Sequence, residues 1–139
     1  MKTEVVYLDV PANHKYLNLV SSCIAGLLER VEGIQEPTIA VYSLQLAVQE
    51  ACTNIVQHAY AGMSEGRIRT RLTLEPCPFQ LIVELYDTGQ PFDLDTAPEP
   101  DLGQPQVRGY GLYLMKQLLD EVSYHSEPGH NRWRLVKNL

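Results

Sequence analysis

Leu44–Tyr60 reads LQLAVQEACTNIVQHAY, with the spacing of an α-helix. At roughly 100° per residue, Leu44, Val48, Ala51, Ile55 and Ala59 form one apolar stripe. Glu50, Asn54 and His58 recur every fourth residue and climb a second face that flanks the stripe. A face so placed suits a pocket wall better than open solvent. A carboxylate one turn before a carboxamide is a pairing that metal-dependent phosphoryl transfer can use. A polar helix face with an incidental Glu and Asn is the plainer reading, and the helix taken alone favours it.

On either side of this helix the period of the chain changes. Val6, Leu8 and Val10 alternate as a first strand that ends at Pro11. Asn13 is placed to cap a helix in which Tyr16, Val20, Cys23, Ile24, Leu27, Leu28 and Val31 keep helical spacing up to Gly33. Pro37 suits the first turn of the second helix, and Ala61–Gly66 is a turn-rich connector. Ile68, Thr70, Leu72 and Leu74 then point one way, with Arg67, Arg69, Arg71, Thr73 and Glu75 pointing the other. This predicts a strand with one wet face. After Pro76-Cys77-Pro78, Phe79, Leu81, Val83 and Leu85 alternate into a second strand that runs to Asp87, and the short break predicts an antiparallel hairpin. Leu112, Met115, Leu118, Leu119 and Val122 give a third amphipathic helix. A strand near 121–126, a turn at Pro128-Gly129-His130-Asn131 and a strand over 132–137 close the pattern.

A chain of 139 residues suits one domain with a real core. Its net charge of -6 argues against nucleic acid as the main partner, so the three arginines at 67, 69 and 71 read as a solvated sheet face or part of a protein interface. Cys23, Cys52 and Cys77 are odd in number and widely spaced, which suits reduced thiols rather than disulfides or a zinc site. No signal peptide and no membrane-spanning run is visible, so the expectation is a soluble cytoplasmic domain without a membrane partner.

Two further stretches carry chemistry. Asp87-Thr88-Gly89-Gln90-Pro91-Phe92-Asp93 follows a strand directly. It reads as a turn, or as a carboxylate that accepts a hydrogen bond from a purine amine while Gly89 lets the ring approach. Leu94–Val107 is rich in Pro, Gly and acids and reads as a loop of lid length. Asp93, Asp95, Glu99 and Asp101 there fit a solvated acidic loop better than a metal site. Arg108-Gly109-Tyr110-Gly111 then opens the third helix, where free N–H groups and the dipole end favour phosphate. It matches neither the dinucleotide fingerprint nor a Walker loop. His125 and His130 lack acidic or thiol partners at ligand spacing and read as surface residues.

Taken together, QEACTNIVQHAYAG, LYDTGQPFD and RGYGLYLMKQLLDEVSY resemble, in order, the three nucleotide boxes of the GHKL ATPases, which share a fold with gyrase, sensor histidine kinases and MutL-type proteins. The chain is most similar to the small bacterial anti-sigma factors that are also serine kinases, and the resemblance covers essentially its whole length. It implies an α/β sandwich with a mixed, mainly antiparallel sheet, helices on one face and ATP held between the two. It also implies one ATPase domain over 1–139, with a lid at about 94–108.

The resemblance assigns roles to residues. Asn54 would hold Mg2+, Asp87 would recognise adenine with Gly89 giving room, and Gly109 and Gly111 would bring backbone amides to the phosphates. Leu112 would lie among the nucleotide contacts, while Arg108 stands either as a phosphate contact or as an ordinary surface arginine. Glu50 would be the general base toward a serine hydroxyl. His58 fits its box without a chemical role. The partners implied are a sigma factor, a small antagonist protein phosphorylated on serine, and a second copy of the chain. Two rival readings stand beside this one: a non-catalytic module that binds ATP to shape an interface, and a serine kinase serving a switch with another target. The lid departs from kinase relatives in being short, acidic and proline-rich.

Overall fold

The computed structural model describes residues 1–92 and 110–139. Five strands, β1 (Glu4–Pro11), β2 (Arg67–Pro76), β3 (Phe79–Asp87), β4 (Glu121–Glu127) and β5 (His130–Asn138), form one sheet in the order β1-β2-β3-β5-β4. All four pairings among the described residues are antiparallel, in keeping with the mainly antiparallel sheet expected. The cause is the last hairpin. β4 takes the sheet edge, and β5 turns back at once into the gap between β3 and β4, running against both.

Helices α1 (Leu17–Glu29), α2 (Pro37–Asn54) and α3 (Tyr110–Leu118) form the second layer, with α2 packed against both of the others. A 3-10 turn at His14–Tyr16 precedes α1, and the Asn13 side chain accepts the Lys15 N–H there, as a cap should. α1 ends at Glu29, earlier than Gly33 suggested; Gly33, at φ +88°, instead turns the connector toward α2. Pro37 opens α2 in the first turn, where its missing N–H costs nothing.

The apolar stripe of α2 is the centre of the core. Leu44, Val48 and Ala51 are fully buried and Ile55 and Ala59 nearly so, against Leu72, Leu81, Val83, Leu85 and Leu135 from the sheet. Cutting Leu44 to Ala would cost about 2–5 kcal/mol, since a packed core closes such a void only in part. Trp133 is the largest fully buried side chain. Cys52 lies in this core, and burial pushes its thiol up to about 12, so it is inert; Cys23 and Cys77 are also free thiols.

Among the described residues the other sheet face carries no helix. Arg67 and Arg69 are exposed there, with Arg67 paired to Asp9 at 2.7 Å, a contact worth little in water. Among the described residues no helix is long and apolar enough to cross a membrane.

Candidate functional site

The site is built on the last turns of α2. Glu50 and Asn54 are both half-buried there, on the flank of the core stripe. Beyond Asn54 the helix widens into a π-turn over Ile55–Ala59, in which Tyr60 N–H reaches back five residues to the Ile55 carbonyl, at 3.1 Å. His58 is exposed, its ring 6.1 Å from that of Phe92. The four-residue repeat predicts one continuous α-helix to Tyr60; the regular α-helix ends at Asn54, and His58 falls in the π-turn.

The same widening presents the Ala59 carbonyl to the segment after β3. Gln90 N–H donates to it at 2.8 Å, and a Cβ on Gly89 would sit 2.2 Å from that oxygen. A glycine is therefore required at 89 by contact with the helix end itself, a reason the sequence did not disclose. Tyr60 completes the junction. Its hydroxyl donates to the Arg67 carbonyl at 2.9 Å and accepts the Thr88 N–H at 2.9 Å.

Asp87 ends β3 on the helix-facing side and is almost fully buried. Gly89 N–H donates to its Oδ1 at 3.0 Å, and Asn131 Nδ2 donates to the same oxygen at 2.8 Å. Burial raises the carboxyl above its ordinary range, and the Asn131 and Gly89 bonds pull part of the way back. Asn131 was read as part of a turn. It is the second residue of β5, because the turn needs only Pro128 and Gly129, the latter at φ +77°. Neighbouring strands also supply an aromatic cluster. Phe92 lies 5.6 Å from Trp133 and Trp133 lies 4.8 Å from Tyr124, centroid to centroid, while Phe92 N–H donates to the Tyr124 hydroxyl at 2.7 Å. With His58 on its other side, Phe92 bridges the helix layer and the sheet.

At the opposite end of the site, Glu50 meets the start of α3. A Cβ on Gly111 would lie 2.8 Å from Glu50 Oε2. Leu112 is half-buried beside it and packs on the core. Glu50, Asn54 and Ala59 thus string the site along α2 and its π-turn over about 13 Å, taking 1.5 Å per residue. Arg108, Gly109 and the lid expected at about 94–108 lie outside the described residues.

Nothing among the described residues groups three His, Cys, Asp or Glu side chains for a metal. The donor set does suit a hard cation held mostly by phosphate and water, because the Asn54 carboxamide is half-buried and has no hydrogen-bond partner among the described residues. A cavity of about 840 Å³ touches Asp87 and Asn131 but opens on the other face of the sheet, between Tyr7, Arg69, Arg71 and Tyr86. Glu50 and Asn54 do not line it.

The fold is a two-layer sandwich with a buried carboxylate at a strand end and a Glu and Asn one turn apart on the facing helix. Residues 10–137 match the family of the histidine kinase-like ATPase domain, and the chain belongs to that family, an ATP-binding one. Within it the chain stands with the RsbW serine-protein kinases. It is 34% identical to the serine-protein kinase RsbW of Bacillus velezensis over 93% of this chain and 84% of that protein. To the RsbW of Bacillus subtilis it is 33% identical over the same shares. Among solved structures, the RsbU and RsbW domains of a Mycobacterium tuberculosis protein share the fold at TM-score 0.71, with 17% identity, covering 98% of this chain and 32% of that one. A histidine kinase domain from Erythrobacter litoralis follows at TM-score 0.59 and 20% identity, covering 94% of this chain and 62% of that one.

Proposed function

We propose that this chain is an anti-sigma factor of the partner-switching kind that uses Mg-ATP to phosphorylate a serine on a small antagonist protein. The kinship with the RsbW serine-protein kinases supports the activity. The observation that carries the residue roles is the placing of Glu50, half-buried, with its carboxylate against the first turn of α3. A phosphoryl group held at a helix start, where backbone N–H groups point outward, would sit beside that carboxylate.

In this reading Glu50 takes the proton from the serine hydroxyl as its oxygen bonds to the γ-phosphorus and the bond to the ADP oxygen breaks. The Asn54 oxygen would hold Mg2+, which would supply positive charge to offset that of the phosphates. Asp87 accepts the adenine amine. Gly109, Gly111, Leu112 and Arg108 serve the phosphates and the lid over 94–108, all within one ATPase domain spanning 1–139. The protein acts in the cytoplasm as a homodimer. It binds the sigma factor in one state and the unphosphorylated antagonist in the other, and nucleotide biases the choice.

The test is transfer of labelled γ-phosphate from Mg-ATP to candidate antagonists, with wild type and Glu50→Gln side by side. Serine labelling by wild type that falls ~10²–10⁴-fold in the variant, with ATP affinity kept, is the expected result. ATP binding without transfer to any candidate would point instead to a nucleotide-dependent binding module. Labelling of an antagonist from a pathway without a sigma factor would overturn the partner assignment alone.

A further inference from the structure

Ser126, Asn131 and Asp87 stand directly opposite one another on three adjacent strands, β4, β5 and β3. Their side chains form a chain of hydrogen bonds along that row. Ser126 Oγ donates to Asn131 Oδ1 at 2.7 Å, and Asn131 Nδ2 donates to Asp87 Oδ1 at 2.8 Å and to the Gly89 carbonyl at 2.9 Å. Because Nδ2 lies between two acceptors, only the NH2 end of the amide fits there; the Ser126 hydroxyl at the other end agrees. Asn131 itself is 2% exposed. A buried carboxamide making every bond available to it is held in one rotamer.

The consequence falls on Asp87. Its Oδ1 receives two donors, Gly89 N–H and Asn131 Nδ2, while Oδ2 takes no hydrogen bond from any described residue. A carboxylate pinned by one oxygen presents the other in a set direction. We propose that Asn131 is a positioning residue for base selection: it locks Asp87 so that a single oxygen faces the exocyclic amine of a purine, and so sets the preference for 6-aminopurine nucleotides. Ser126 acts one step further out, by keeping the Asn131 amide from flipping. The inference rests on the reading of Asp87 as the adenine acceptor. The Asn131 bond also favours the charged form of Asp87, the stronger acceptor for an amine.

The experiment compares the binding of ATP and of purine riboside triphosphate, which lacks the 6-amine, to wild type, Asn131→Ala, Ser126→Ala and Asp87→Ala. Thermal melting checks that each variant folds. Wild type should prefer ATP, and Asn131→Ala should bind ATP about tenfold more weakly while binding the analogue as wild type does, as suits loss of one hydrogen bond to a charged group. Ser126→Ala should move the ratio the same way by less, and it is the milder variant if Asn131→Ala does not fold. Equal losses for both nucleotides, or an unchanged ratio, in the folded variant would reduce Asn131 to a structural residue and overturn the proposal. An unchanged ratio in Asp87→Ala would remove the adenine reading itself. A changed ratio there with none in the Asn131 and Ser126 variants would remove the positioning role alone.

Discussion

Gly111 leaves no room for a side chain because Glu50 occupies it: a Cβ there would stand 2.8 Å from Oε2. The candidate base and the first turn of α3 are thus set against each other by the lack of one carbon atom. The carboxylate is the far end of a flexible side chain, so a methyl group at 111 displaces Glu50 rather than the helix. Gly111→Ala should therefore keep the melting temperature within a few degrees and slow phosphoryl transfer by about 10²-fold, the penalty of a group misplaced by an ångström. Transfer at the wild-type rate would show that the carboxylate position does not matter.

Gly89 presents the opposite case, since its neighbour is the backbone of Ala59 and cannot swing aside. Gly89→Ala must separate the end of β3 from the π-turn or strain both, at about 1–3 kcal/mol. Denaturant unfolding should show that loss, together with weaker ATP binding, because Gln90 N–H would leave the Ala59 carbonyl. Wild-type stability would mean that the two segments part at no cost.

Asn54 lies off the core stripe and caps nothing, so Asn54→Ala should leave folding nearly unchanged. It should remove the magnesium dependence of ATP binding along with most of the affinity. Titrating ATP with and without Mg2+ reads this directly, and undiminished Mg-ATP affinity in the variant would sink the metal role.

Burial holds the Asp87 carboxyl above the ordinary aspartate range. For folding, a raised acid disfavours the native state once ionised, so this contribution becomes less unfavourable as pH falls through the folded pKa. Nucleotide affinity runs the other way, because the ionised carboxylate is the stronger acceptor for an amine. ATP binding should weaken as pH falls, with its midpoint above the ordinary aspartate range. In Asn131→Ala that midpoint should move higher still, since a bond favouring the charge is gone. Calorimetric titration across mildly acidic buffers gives both midpoints, and the adenine ring's own titration is common to the two proteins. A midpoint unmoved by Asn131→Ala would show that the amide does not influence the carboxylate's charge.

What the sequence determined by itself is whatever depends on period and on local backbone chemistry. The stripe from Leu44 to Ala59, the alternation of β2 and β3, the Asn13 cap and Pro37 at a helix start were all legible, because each is set by neighbours within a turn or two. The identity of Asp87, Asn54, Glu50 and Gly111 as candidates was legible too, once their order along the chain was seen to resemble a family. Three things were decided only by tertiary structure. One is the π-turn over Ile55–Ala59, in which His58 is exposed. The need for glycine at 89 and 111 comes from Ala59 and Glu50, residues far off in the chain. Asn131 reaches Asp87 because β5 pairs with β3 in one particular register, 44 positions away in sequence. A hydrogen bond across strands carries no local signature, so a buried asparagine next to a Pro-Gly turn reads as part of the turn until the sheet is assembled.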